Sequence, residues 1–210
     1  MNATMHRTPT IPEQDAIAAA QRGDIRAFEH LVSSYQDAAF SVAYHILGSR
    51  DAAMDATQDA FIRAFEGLAR YRGGSFKSWI LRITTNCSYD QLRYKQRRPS
   101  TPIDDLVEDD EHSSMLMAED EEPEEYAERS ELNGVIRRGL RTLPKDQRAV
   151  LVLADIEGLS YNEIAETLDA SVGTIKSRLS RARAKLRDFM LEREELLPSR
   201  LRLGVGDTKD

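Results

Sequence analysis

The sequence predicts an all-α protein: two small helical domains joined by an acidic flexible linker, the second of them a helix-turn-helix. Three observations carry that reading. Apolar residues recur at helical spacing between capping residues, Gly and Pro, from Glu13 to Arg98 and again from Glu131 onward. No stretch shows the alternation expected of a strand. Charged residues make up 31% of the chain and aromatic residues only 7%, a balance that suits helical bundles better than sheets.

A chain of 210 residues has room for one large or two small domains. Residues 1–12 are expected to be a disordered N-terminus. In the first domain, 13–99, Asp24 is positioned as an N-cap, and Phe28, Leu31, Val32, Tyr35, Ala39, Val42 and Ile46 then mark one helical stripe until Gly48 stops it. A second helix is expected from near Asp51 to about Gly67. After the Gly73-Gly74 loop a third runs from about Ser75 to Lys95, closed by Pro99 and Pro102. Residues 100–130 form the linker. From Glu131 helices resume: Leu132 to Leu143, then Lys145 to Ile156 behind Pro144, a helix-starting residue. Ser160-Tyr-Asn-Glu163 has the form of a capping box and should open a short helix through Leu168. Asp169-Ala170-Ser171 is a turn, and a long helix follows to about Glu192. Residues 193–210 read as a flexible tail.

Several function classes are excluded at this level. No apolar run is long enough to span a bilayer, and the first twelve residues lack the apolar stretch of a secretory signal, so no membrane insertion and a cytoplasmic location are expected. The single cysteine, Cys87, rules out an internal disulfide framework and is expected to pack in the core. The four histidines have no zinc spacing. With no phosphate-binding glycine loop, no metal-ligand cluster and no nucleophile–base pair, no cofactor, no metal and no catalytic residue are assigned, and the chain is not expected to be an enzyme.

The net charge of −7 hides a strong asymmetry. Residues 100–130 carry thirteen Asp or Glu against the single base Arg129, a local −12, which leaves +5 for the rest of the chain. Such a segment buries too little apolar surface to offset the entropy of ordering it. Positive charge gathers instead in two places. Arg70 to Arg98 holds eight bases and one acid, and residues 171–187, SVGTIKSRLSRARAKLR, hold six bases and no acid.

Projected on a helical wheel, the second block sorts into faces. Ile175, Leu179, Ala182, Leu186, Phe189 and Met190 form a core stripe. Ser177, Ser180 and Ala184 lie opposite, flanked by Lys176, Arg183 and Arg187 on one side and Arg178, Arg181 and Lys185 on the other. Small residues at the centre permit close approach to a DNA groove, and long cations at the edges reach its phosphate walls. As the second helix of a helix-turn-helix it reads bases with its N-terminal part. Base-edge contacts are therefore assigned to Thr174, Lys176, Ser177, Ser180 and Arg181, and backbone contacts to Arg183, Lys185 and Arg187. The bland alternative, a merely solvated basic face, does not account for the capped short helix and turn that precede it.

The helix from Asp51 places Met54, Thr57, Phe61, Ala64, Phe65 and Leu68 on a broad apolar side, with Asp55, Gln58, Asp59, Ile62 and Glu66 opposite. An acidic exposed face bearing an isoleucine suits docking to a basic protein partner. Residues 71–99 interleave aromatics with Arg and Lys, a combination that fits single-stranded nucleic acid. There Phe76, Trp79, Ile80 and Ile83 fall at core spacing, so Trp79 is read as packing. Asn86, near Arg82 and Arg93, is the better base-reading candidate, and Tyr89 and Tyr94 are left undecided.

The segments GDIRAFEHLVSSYQDAAFSVAYHIL, DATQDAFIRAF, FKSWILRITTNCSYDQLR and LPKDQRAVLVLADIEGLSYNEIAETLDASVGTIKSRLSRARAKLR, in this order around an acidic linker, resemble bacterial RNA polymerase sigma factors of the extracytoplasmic-function (ECF) type in the sigma-70 family. The resemblance implies a factor that binds core RNA polymerase, directs it to specific promoters and helps melt the minus-ten element, with stress or envelope-response genes as expected targets. It implies that Asp55, Gln58, Asp59, Phe61 and Ile62 grip the β′ clamp helices, although Phe61 falls on the apolar side. Arg72, Ser75, Phe76, Lys77, Arg82, Asn86 and Arg93 are implied to read and open the minus-ten element, a base of the non-template single strand being flipped near the Arg72–Lys77 loop. The second domain would bind the β flap and read duplex DNA at minus-thirty-five through Thr174, Lys176, Ser177, Arg178, Ser180, Arg181, Arg183 and Lys185. An anti-sigma factor is a partner that the resemblance allows. The competing reading is a stand-alone dimeric helix-turn-helix regulator, which leaves the DATQDAF helix and the aromatic-basic helix without a purpose.

Overall fold

The computed structural model of the chain describes residues 12–97 and 123–193. What the sequence predicts for residues 1–11, 98–122 and 194–210 lies outside them. Among the described residues the chain is helical, with no strand: α1 (Glu13–Gln21), α2 (Ile25–Leu47), α3 (Arg50–Gly67), a 3-10 turn (Leu68–Arg70) and α4 (Phe76–Arg97), then α5 (Pro123–Thr142), α6 (Lys145–Leu151), a π-turn (Val152–Ile156), α7 (Tyr161–Thr167) and α8 (Val172–Leu191).

Local chemistry sets most of these boundaries. The Asp24 carboxylate accepts from the backbone N–H groups of Arg26 and Ala27 at 2.9 and 3.2 Å, which starts α2. Gly48 stops it in the left-handed region at φ 73°, its N–H returning to the Tyr44 carbonyl. Ser160 and Glu163 close the capping box of α7, and Ser171 caps α8 through the Thr174 N–H at 3.1 Å. Pro144 precedes α6 as expected.

Three features differ from the sequence reading. The helix expected at Leu132 begins at Pro123, inside the segment read as linker. Pro is tolerated in the first helical turn. The helix from Lys145 does not stay α-helical to Ile156 but widens into the π-turn after Leu151. On α3, Met54 and Phe65 were expected in the core yet are 53% and 48% exposed. The buried stripe there is Ala53, Ala56, Ala60, Phe61 and Ala64. Four alanines let α2 and α4 approach α3 closely, and the bulky neighbours are displaced to the rim. Phe65 is still held edge-on by Phe28, ring centroids 5.0 Å apart.

Helices α1–α4 form one bundle around Leu31, Val42, Ile46, Phe76, Ile80 and Leu81. Cys87 is buried among Ala43, Ala53, Ala56 and Ala60, where burial pushes its thiol up, consistent with a packing role. Helices α5–α8 form the second bundle around Val135, Leu140, Leu153, Ile164, Ile175 and Leu179. Gly139 is where α5 and α8 touch: a Cβ there would sit 2.4 Å from Leu186 Cδ1 and 3.0 Å from Phe189 Cδ1, so a larger residue requires those side-chain ends to shift.

The two bundles pack directly on one another, α2 meeting α5, α6 and the π-turn while α4 meets α7. Their apolar residues join into one continuous core. At this junction His45 lies 2.7 Å from the Ser41 carbonyl through Nδ1. Burial lowers its pKa below the ordinary 6.5, with Arg137 adding to the shift and the Ser41 carbonyl and Glu157 opposing it. Between the two pKa values the unfolded chain binds more protons at this site than the folded one. His45 therefore costs nothing above about pH 6.5 and costs stability progressively as pH falls below it. Urea titrations at pH 7.5 and 5.5 check this: the wild-type midpoint is expected to fall on acidification, and that fall to be smaller in His45→Gln.

Candidate nucleic-acid and polymerase interfaces

Helix α8 carries the basic face intact. Ile175, Leu179 and Ala182 are buried, and Lys176, Ser180, Arg181, Arg183, Lys185 and Arg187 are exposed. Thr174, Ser177, Arg178 and Ala184 are half-buried at its edges. Beside it runs an open cleft of about 590 Å³ lined by Tyr161, Lys176, Leu179, Ser180, Arg183, Ala184 and Arg187. The small side chains Ser180 and Ala184 share its lining with the cations Lys176, Arg183 and Arg187, a mix that allows close approach to a phosphate backbone. Two cations are also tied within the bundle: Arg183 forms a bidentate pair with Asp155 at 2.6 and 3.0 Å, and Arg178 pairs with Asp146 at 3.2 Å. These pairs orient both guanidiniums and leave Lys176, Arg181 and Lys185 as the less restrained cations.

Tyr161 was not singled out by sequence. As the first residue of α7 it projects beside the cleft, 39% exposed, with Lys176 Nζ 6.0 Å from its ring centroid. Its position follows from the Ser160 cap, which the sequence did show.

In the first bundle Arg72, Ser75, Arg82, Asn86 and Arg93 are exposed. Arg82, Asn86 and Arg93 lie along one face of α4, and Arg93 is paired with Asp90 at 3.0 Å, which also holds Arg63 at 3.1 Å. Phe76 is 1% exposed and so sits beneath the loop rather than on it; its ring packs against Tyr35, Tyr71 and Trp79. Trp79 tilts on Tyr71 as well, which agrees with its packing assignment. Lys77 and Ser78, at the start of α4, face the second bundle. Tyr89 does too, its hydroxyl donating to the Lys145 carbonyl at 3.4 Å, whereas Tyr94 is 60% exposed.

On α3, Asp55, Gln58, Asp59 and Ile62 share the exposed face, Ile62 at 50%, with Met54 and Phe65 extending the apolar rim. Phe61 is 9% exposed and points inward. Acids around apolar side chains make a face able to dock a basic, partly apolar helix. Among the described residues, no group of His, Cys, Asp or Glu could hold a metal ion, and no helix is long and apolar enough to cross a membrane.

A chain helical throughout its described residues, with a basic helix-turn-helix on one bundle and an acidic-apolar face on the other, has the surfaces expected of a DNA-binding factor that works with a protein partner. Comparison with known proteins gives the family. Sigma-70 region 2 matches residues 31–98, and sigma-70 region 4 matches residues 134–186. The ECF RNA polymerase sigma factor SigE of Mycolicibacterium smegmatis is 38% identical over 82% of this chain, which spans 65% of that relative's length. The ECF sigma-E factor of Escherichia coli K12 is 35% identical over 82% of this chain and 91% of its own length. Among solved structures, the sigma factor RpoE bound to the anti-sigma factor NepR from Bartonella quintana matches with TM-score 0.63 at 25% identity, covering 79% of this chain and 98% of that one. CnrH, solved with the cytosolic domain of CnrY, matches with TM-score 0.61 at 27% identity, covering 86% and 98%. The chain belongs to the sigma-70 family, in its ECF group: a transcription initiation factor and not an enzyme.

Proposed function

We propose that this chain binds core RNA polymerase through Asp55, Gln58, Asp59 and Ile62 of α3 and the β flap through its second bundle, and so places two separate DNA-reading surfaces on one promoter. The first domain spans residues 13–99 and the second extends to residue 192. Lys176, Ser177, Ser180 and Arg181, with Thr174 at the start of α8, take base edges at minus-thirty-five, while Arg178, Arg183 and Lys185 hold phosphates. Arg72, Ser75, Lys77, Arg82, Asn86 and Arg93 take the displaced strand at minus-ten, with Phe76 holding their loop from below. The observation that carries this reading is the exposed basic face of α8, with Ser180 between its cations, on one bundle together with the basic, amide-bearing face of α4 on the other.

Flipping a base costs a few kcal/mol, offset by pocket contacts. Each DNA surface alone is modest, and polymerase joins them at high effective concentration. Such a factor works where the chromosome is, in the cytoplasm. RpoE of Bartonella quintana was solved with the anti-sigma factor NepR and CnrH with the cytosolic domain of CnrY, and an anti-sigma partner, with stress or envelope signals upstream of it, fits this chain. Run-off transcription from a random promoter library with core polymerase tests the proposal. Discrete starts that appear only when the protein is added support it; none, together with tight duplex binding by a free dimer, overturns it.

A further inference from the structure

We infer that Gln21, the last residue of α1, is a positioning residue for minus-ten reading: its side-chain amide holds the backbone from which the Arg72–Ser75 loop departs, so that the loop meets the displaced strand already in shape. This rests on the reading of that loop as promoter-facing. Helix α1 precedes the segment that matches sigma-70 region 2, residues 31–98.

Burial fixes where the amide stands. Ala16, Ile17 and Ala20 sink one side of α1 into the first bundle and leave Gln21 at its end. From there Gln21 Nε2 donates to the Leu68 carbonyl at 3.1 Å and to the Tyr71 carbonyl at 3.0 Å, across 47 and 50 positions of sequence. The Leu68 carbonyl also accepts from the Tyr71 N–H at 3.0 Å, so Gln21 takes its second lone pair. The Tyr71 carbonyl belongs to the planar peptide that leads into Arg72. Holding that peptide sets the direction in which the loop leaves the 3-10 turn.

Beyond this point the loop has little with which to hold itself. Gly73 and Gly74 both take positive φ, 97° and 94°, where other residues are strained, and neither brings a side chain. The Tyr71 hydroxyl donates to the Gly74 carbonyl at 2.8 Å, its ring placed by Phe76 and Trp79 at centroid distances of 5.6 and 5.1 Å. At the far end Ser75 Oγ accepts from the Ser78 N–H at 3.1 Å and starts α4. Tyr71 therefore shapes the loop, and Gln21 fixes the backbone of Tyr71.

A loop set beforehand bears on the choice of base more than on binding as such. One that is free to adapt satisfies the polar groups of a wrong base as well as those of the right one. One held in a single shape leaves donors or acceptors of a wrong base unpaired, and that difference separates the two affinities. It also removes the ordering cost from the moment of binding.

Gln21→Met keeps length and helix propensity and removes the donors, and Gln21→Lys restores a donor of similar reach. Holoenzyme assembled from core polymerase and each full chain is titrated with single-stranded oligonucleotides carrying the non-template minus-ten bases found by run-off selection, each position exchanged in turn. With Gln21→Met the preference for the correct base at the flipped position is expected to fall about tenfold, the scale of one net hydrogen bond. Gln21→Lys should regain most of it, and the added cation, acting alike on every sequence, cancels in the ratio. Amide exchange at residues 72–75 of the free protein should quicken in Gln21→Met and not in Gln21→Lys. Core affinity and duplex binding at minus-thirty-five should stay as in the wild type, whereas a general loosening of the first bundle would lower core affinity. An unchanged base preference in Gln21→Met, or a fall matched by an equal loss of core affinity, overturns the positioning role. A wild-type holoenzyme indifferent to every base of the strand overturns the minus-ten reading itself and this inference with it, an outcome seen before any variant is compared.

Discussion

Asp55→Arg combined with Asp59→Arg is expected to lower the affinity for core polymerase at least about 100-fold while the fold stays intact. Both carboxylates stand on the exposed face of α3, on the same side as Ile62 and away from the buried alanine stripe. Arginine is a good helix former, so the helix itself tolerates the exchange. Surface changes of this kind usually move stability by no more than about 0.5 kcal/mol. The partner surface has to be basic to match this face, and the exchange sets like charges against it. Juxtaposed like charges at an interface cost several kcal/mol, and every 1.4 kcal/mol is about tenfold in affinity. Raising salt screens the repulsion and should restore part of the binding, whereas loss caused by misfolding would not recover. The measurement is titration of labelled core enzyme alongside a thermal melt. Wild-type affinity in a normally melting double variant would remove α3 as the docking helix.

What was legible in the sequence was local. Asp24, Gly48 and the Ser160–Glu163 box mark helix ends because a side chain or a left-handed glycine satisfies backbone groups within four residues of itself. The basic face of α8 was legible for a similar reason, since a wheel needs only the order of residues and one apolar stripe. On α3 the wheel misled. It ranks residues by hydrophobicity, whereas the packing of that helix follows the small volume of Ala53, Ala56, Ala60 and Ala64. The junction between the bundles was not legible at all. Glu163 reads fully as a capping residue, and nothing in its neighbourhood tells that its second oxygen meets Ser78, 85 positions away in sequence. Glu157 and Arg148 are as silent. Each looks like an ordinary charged residue on a helix or turn, and each finds its partner only when two separately folded surfaces meet.

Arg148→Met should cost about 2–4 kcal/mol of stability, the largest effect expected of a single exchange outside the apolar core. The guanidinium joins two helix ends. Its Nη1 donates to the Ile46 carbonyl in the last turn of α2 at 2.5 Å; its Nη2 donates to the Arg141 and Leu143 carbonyls at the end of α5, at 3.0 and 3.1 Å. The carbonyl groups of a final helical turn have no intrahelical partner and form the negative end of the dipole, so a shared cation meets a double need. Burial pulls the Arg148 pKa down, with Arg141 nearby adding to the effect, yet a guanidinium remains charged at any working pH. Two considerations keep the figure moderate. The Arg141 carbonyl is exposed and regains water when the arginine leaves, and Arg148 Nε is buried without a partner, so the wild-type arrangement already carries a cost. Methionine fills a similar length of apolar space, which isolates the hydrogen-bonding loss from a cavity. Urea titration followed by Trp79 fluorescence and by helix content gives the change. Because the Ile46 bond crosses between bundles while the other two lie within the second, amide exchange should quicken at the end of α5 even where the bundles have separated. A loss below about 0.5 kcal/mol, within the range of an ordinary surface exchange, would show that water serves these carbonyls as well as Arg148 does, and the arginine would then be no tie between the helix ends.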